Sequence, residues 1–147
     1  MRKGLIVGAL GLALSGVLIG SVAIAQGDPI AQRKDNRKQA GAQMKAIKAV
    51  VEAKGPASAV VPAAAKLKEL QVAFPKMFPP GSDKGDTKAL PVVWTDKAGF
   101  EAANKAEGVA IDELAAAAGS GDMAKVAAAF VNVGKACGNC HEKFRAK

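Results

Sequence analysis

The sequence predicts an all-α protein, an antiparallel four-helix bundle, and three observations carry that prediction. Helix-forming Ala and Lys crowd the second half of the chain, while aromatics make up only 4% of the 147 residues and Tyr is absent. Apolar residues recur at three- and four-residue spacing in four successive stretches. Gly and Pro divide those stretches as short break, long link, short break, which suits an up-and-down bundle. The length fits one folded unit, and an apolar content of 50% excludes a disordered chain.

Residues 1–25 read as an address rather than as part of the bundle. Arg2 and Lys3 form a basic start, an uncharged apolar run covers 5–24, and Ala23-Ile24-Ala25 supplies a small-x-small cleavage pattern. An uncleaved anchor competes, because the run approaches the roughly 20 residues that span a bilayer. Cleavage after Ala25 predicts a periplasmic protein comprising residues 26–147. Loss of Arg2 and Lys3 lowers the formal net charge from +8 to +6.

The first helix is predicted over about 29–53, ending at Lys54-Gly55-Pro56, with Ala40, Met44, Ile47 and Val51 on one apolar face. Arg33 and Arg37 extend that stripe toward the N-terminus; either they seek an anion or they form a solvated first turn. The second helix spans about 59–73, with Ser58 as N-cap, Pro62 in the first turn, and Val60, Ala63, Leu67 and Leu70 inward. A link over 74–90 is long for a bundle and is expected to pack over something, with Phe74 and Phe78 as apolar anchors. The third helix runs from about Pro91 to Ala118, with Trp94, Ala98, Ile111 and Leu114 inward, and stops at Gly119-Ser120-Gly121. The fourth starts at Asp122 and carries Met123, Val126, Phe130 and Val133. So many Ala at core positions leave room for a large apolar guest.

The chemistry lies in Cys137-Gly138-Asn139-Cys140-His141, the C-x-x-C-H attachment signature of a c-type haem. The two thiols would form thioethers with the haem vinyl groups, and the imidazole would be an axial iron ligand. On a helix all three side chains share one face. A structural zinc site needs four ligands, and the chain has two Cys and one His. A thioredoxin-like pair needs a βαβ context, and a plain disulfide explains neither the adjacent His nor the bundle. A single His also rules out bis-histidine ligation within the chain. The sixth position is then open or water-filled, or held by a weak ligand. Met44 alone among the mature-chain methionines lies well along a core stripe, and core filling is the favoured role for it.

A haem motif near the C-terminus, on the last of four helices, resembles cytochrome c′ and its relatives, the class II c-type cytochromes. Arg33, Arg37-Lys38, Gly41 and Met44-Lys45 resemble the family's first-helix pattern, and Leu90-Pro91-Val92-Val93-Trp94 resembles its approach to the third helix. Residues 134–145, Gly-Lys-Ala-Cys-Gly-Asn-Cys-His-Glu-Lys-Phe-Arg, resemble its C-terminal signature. The resemblance implies haem c on Cys137 and Cys140, His141 as proximal ligand, Arg145 beside that face, Arg33 near the propionates and Trp94 against the haem. It also places Arg37 at the distal position, where the family carries an apolar residue or Met. A guanidinium does not ligate iron. Arg37 would swing to the propionates or donate a hydrogen bond to a distal ligand, and a one-turn shift would instead bring Ala40 there. The iron is accordingly expected to be five-coordinate or water-ligated, with Met44 as the minority sixth ligand.

Two functions follow as expectations. One is a one-electron carrier whose positive charge steers it to an acidic redox partner. The alternative is binding or scavenging of nitric oxide or another diatomic gas. Catalysis is not expected, since no distal His or paired acid and base is legible. Nucleic-acid binding is set aside because the Lys are dispersed and the chain carries an export signal. Membrane contact is expected only through transient redox partners, and the resemblance is compatible with a helix-mediated homodimer.

Overall fold

The computed structural model describes residues 27–147; the expected signal and its expected cleavage site lie outside the described residues. Five α-helices and two 3-10 turns follow in order, and no strand occurs among the described residues. Four long helices, α1 (Pro29–Glu52), α2 (Val61–Ala73), α4 (Lys97–Ser120) and α5 (Met123–Phe144), make the bundle, and α3 (Val92–Thr95) is a single turn before α4. None of the described helices is long and apolar enough to cross a membrane.

The helix ends follow local chemistry. Asp28 caps α1 by accepting from the Ile30 N–H, with Pro29 in the first turn. Asp122 caps α5 by accepting from the Ala124 and Lys125 N–H groups. Gly121, at φ 78°, closes α4 in the left-handed conformation that L side chains avoid.

Two expected features are corrected. Ser58 caps nothing: it lies inside a 3-10 turn over Ala57–Val60, and α2 begins after it with no side-chain cap. The third helix is not continuous from Pro91, because Asp96 leaves helical geometry (φ −118°, ψ 65°) and its carboxylate accepts from Gly99 N–H as the N-cap of α4. The break resets the helical phase. Ala98 is therefore exposed and Phe100 is buried in its place, while Ile111 and Leu114 point inward as expected.

The core has two parts. An aliphatic cluster centred on Ile47, Val60, Leu67, Ile111, Leu114 and Val126 joins all four long helices. An aromatic cluster of Val93, Phe100 and Phe144, with Phe74, Phe78 and Trp94 against it, occupies the end where the 74–90 link crosses. Phe78 meets Phe74 edge-on at 5.0 Å and Phe100 at 4.8 Å, so both expected anchors of the link are seated. The link is also stitched to the tail of α5. Leu90 N–H donates to the Phe144 carbonyl at 3.0 Å and Ala146 N–H to the Lys88 carbonyl at 2.8 Å, around an antiparallel bridge between Ala89 and Arg145.

Candidate functional site

The last two turns of α5 present Cys137, Cys140 and His141 to a single cavity of about 640 Å³ between the four long helices and the link. That volume lies within the range of cofactor sites. Its walls are mainly apolar, from Leu67, Phe74, Phe78, Val93, Phe100 and Val133. Both thiols are free. Burial pushes the Cys137 thiol up to about 11, the Glu107 carboxylate adding to the effect, and burial likewise raises Cys140. Burial also lowers the His141 pKa, with Arg145 acting in the same direction, which favours the neutral imidazole that a metal ligand requires.

Arg33 is buried at 5% exposure, so the solvated first turn is overturned for this residue. Its anion-like partners are protein oxygens. Nη1 donates to the Met77 carbonyl and Ser82 Oγ, both at 2.9 Å, and Nη2 donates to the Ser82 carbonyl at 2.7 Å. Its guanidinium also lies 4.7 Å from the Phe78 ring centre. Arg33 thus fastens the link across the cavity, and these bonds commit donors that the resemblance would have aimed at propionates.

Arg37 enters the same cavity and pairs with Glu107 at 2.8 Å. Trp94 does not line the cavity; it stands behind Phe78 at 5.8 Å between ring centres, its indole N–H donating to the Pro79 carbonyl at 3.1 Å. Met44 and Ala40 line the wall from α1, and Met44 also packs against the aliphatic cluster. Arg145 lines the cavity mouth and is exposed.

Glu107 is the functional residue that sequence reasoning missed. It is 5% exposed, accepts from Arg37, and lies 3.8 Å from the Cys137 sulfur as acceptor of its S–H. The signal was in the spacing: Asn104, Glu107, Ile111 and Leu114 follow one another at three and four residues, so Glu107 sits on the inner stripe of α4.

The residues fit a covalently held haem. Two cysteines and an imidazole share one wall, the opposing surfaces are largely apolar, and one buried guanidinium nitrogen, Arg37 Nη2, has no hydrogen-bond partner among the described residues. No cluster of three or more His, Cys, Asp or Glu suited to a bare metal ion occurs among the described residues.

Comparison with known proteins agrees. The family profile described as Cytochrome C' matches residues 28–145. The chain is 39% identical over 138 residues to cytochrome c' of Rhodopseudomonas palustris, covering 89% of this chain and 91% of that protein. A 71-residue stretch is 49% identical to cytochrome c' of Rubrivivax gelatinosus, spanning 48% of this chain and 55% of the relative. The crystal structure of cytochrome c' from Rubrivivax gelatinosus superposes with a TM-score of 0.75 at 36% identity, over 82% of this chain and 96% of that one. A ferrous variant of cytochrome c prime from Alcaligenes xylosoxidans with bound NO superposes with a TM-score of 0.75 at 31% identity, over 82% and 94% of the two chains.

Proposed function

Because the chain belongs to the cytochrome c′ family, whose cofactor is covalent haem c, we propose that it is a periplasmic haem protein that binds a small diatomic ligand such as nitric oxide. Cys137 and Cys140 hold the haem and His141 ligates its iron. Bound haem c supplies an iron that cycles between two oxidation states and takes an external ligand. The chain's own residues do the rest. The apolar walls exclude water, Arg33 and the aromatic anchors keep the link over the cavity, and Arg145 stands beside the His141 face.

One observation carries the reading. Besides the apolar Ile30, Ala40 and Gly41, the wall that α1 contributes offers Arg33, bonded to protein oxygens, Lys34, paired with Asp86, Arg37, paired with Glu107, and Met44, which packs against the aliphatic cluster. No strong ligand is thereby supplied for a second coordination position, which favours an open site. The nitric oxide complex of the structural relative lends support. The reading is of a binding protein rather than an enzyme.

The test is an absorption spectrum of the exported, matured protein in both oxidation states, with and without carbon monoxide or nitric oxide. A high-spin spectrum that shifts on gas addition is expected. A low-spin spectrum indifferent to gas overturns the reading, and pigment extracted by acidified acetone overturns covalent attachment.

A second reading, the one-electron carrier, rests on charge. Lys34, Lys88 and Arg145 stand at the cavity mouth on a chain of net positive charge, a surface suited to an acidic redox partner. Electron exchange that slows steeply as salt rises would support it, and a salt-independent rate would remove it.

A further inference from the structure

Arg37 is restrained on three sides. Its Nε donates to Asn36 Oδ1 at 3.1 Å, its Nη1 donates to Glu107 Oε1 at 2.8 Å, and its guanidinium carbon lies 3.5 Å from the Phe74 ring centre. The restraints are themselves anchored. Asn36 is buried at 3% exposure and donates through Nδ2 to the Leu70 carbonyl at 2.9 Å, while Glu107 is buried on the inner stripe of α4. In this arrangement Nη2 is buried without a partner among the described residues, while the side chain as a whole borders the cavity. A charged donor left unsatisfied is costly, and a small turn of the guanidinium about its Glu107 bond would let a ligand in the cavity accept from it.

The charge around it points to the class of acceptor. Arg33, Lys34, Arg37, Lys88 and Arg145 line the cavity against two carboxylates, Asp86 and Glu107. Three positive charges remain, more than the two propionates of a haem would offset. A neutral gas gains little from such a donor, whereas a small anion gains a charge-assisted hydrogen bond.

From this we infer that Arg37, held by Asn36 and Glu107 as positioning residues, is a specificity-determining donor that makes the haem cavity select small inorganic anions over carbon monoxide. The inference rests on the haem-binding reading and adds a second ligand class to it.

Azide titrated into the ferric holoprotein and carbon monoxide into the ferrous form, both followed by absorbance, provide the test. Arg37→Leu is expected to lower the azide-to-carbon monoxide affinity ratio about tenfold or more, the worth of one hydrogen bond to a charged group. Arg37→Lys keeps part of the ratio, because it keeps the charge but not the planar fork. Glu107→Gln keeps an acceptor for Nη1 and removes a negative charge, so azide binding tightens. The two members of the ion pair thus move azide affinity in opposite directions, which a merely structural pair would not do. If Arg37→Leu does not fold around its orphaned carboxylate, Arg37→Leu/Glu107→Leu removes the pair together and is expected to show the same loss of ratio. A ratio within about twofold of the parent protein in these variants overturns the inference. Glu107→Gln weakening azide as much as Arg37→Leu overturns it too, as does a parent holoprotein that takes up no azide. Covalent pigment and carbon monoxide binding with an unaltered ratio sink this inference alone, whereas absence of covalent pigment sinks the haem reading with it.

Discussion

The two ends of the bundle are built on different principles. At one end Ile47, Val60, Ile111, Leu114 and Val126 are all but fully buried, and each is met by side chains from neighbouring helices. At the other, aromatic rings and a link without α-helix wrap a cavity whose walls are partly polar, and four long helices alone do not close it. The aliphatic end is complete as a packing problem. The aromatic end is finished only when the cavity holds something, and the chain assigns its charged interior residues, Arg33, Arg37 and Glu107, to that end.

The broadest way to break this contrast is to remove the haem. In a Cys137→Ala/Cys140→Ala variant the link over 74–90 and the end of α5 are expected to lose most of their hydrogen-exchange protection, while amides around Ile47, Leu114 and Val126 keep theirs. Uniform loss across both ends would mean that they fold as one unit. Within the aliphatic end, Leu114→Ala empties a fully buried site and is expected to cost about 2–5 kcal/mol in denaturant unfolding, whether or not haem is attached. Arg33→Ala acts at the opposite end. It strands the Met77 and Ser82 acceptors and should cost about 1–3 kcal/mol, with exchange increasing over the link and not around Leu114.

The smallest expected effect belongs to Asp122, far from the cavity on the exposed start of α5. The Lys125 backbone N–H holds its carboxyl below the ordinary carboxylate range, with the Lys125 side chain and the Ala124 N–H adding to the shift. A depressed folded value means that the cap's contribution is present above about pH 4 and fades as pH falls through that value. Asp122→Ala should therefore lower the melting temperature slightly at pH 7, and the deficit should shrink as pH falls below the ordinary carboxylate range and the parent protonates its cap. A deficit that does not shrink with falling pH would show that the carboxylate charge plays no part.

The aliphatic end was the more legible one because helix periodicity is a direct record of burial. Val60 in the turn before α2, Ala63, Leu67 and Leu70 on α2, and Val126 and Val133 on α5 are buried where the spacing put them. Periodicity failed where the chain interrupts itself. Asp96 shifts the phase at the start of α4, so Ala98 and Phe100 exchange roles. In the candidate site, Cys137, Cys140 and His141 could be read because three rare residues in one short pattern have few chemical uses. Arg33 was harder, since its partners are carbonyls 44 and 49 residues away, on a segment with no repeating pattern. Glu107 was hidden for a different reason: on a helix that also carries Glu101, Asp112 and Glu113 a carboxylate reads as solvated, and only its spacing to Ile111 and Leu114 set it apart.

The stitching of the link to residues 144–146 has a consequence for biogenesis. Those residues follow the Cys137–His141 motif, so the wall formed by 88–90 has nothing to clasp until the motif itself has emerged. The clasp can therefore close only behind the motif, and a chain that took up its haem before closing would present Cys137 and Cys140 from the flank that residues 88–90 later cover. Order along the polypeptide permits such an order in time, with attachment ahead of closure.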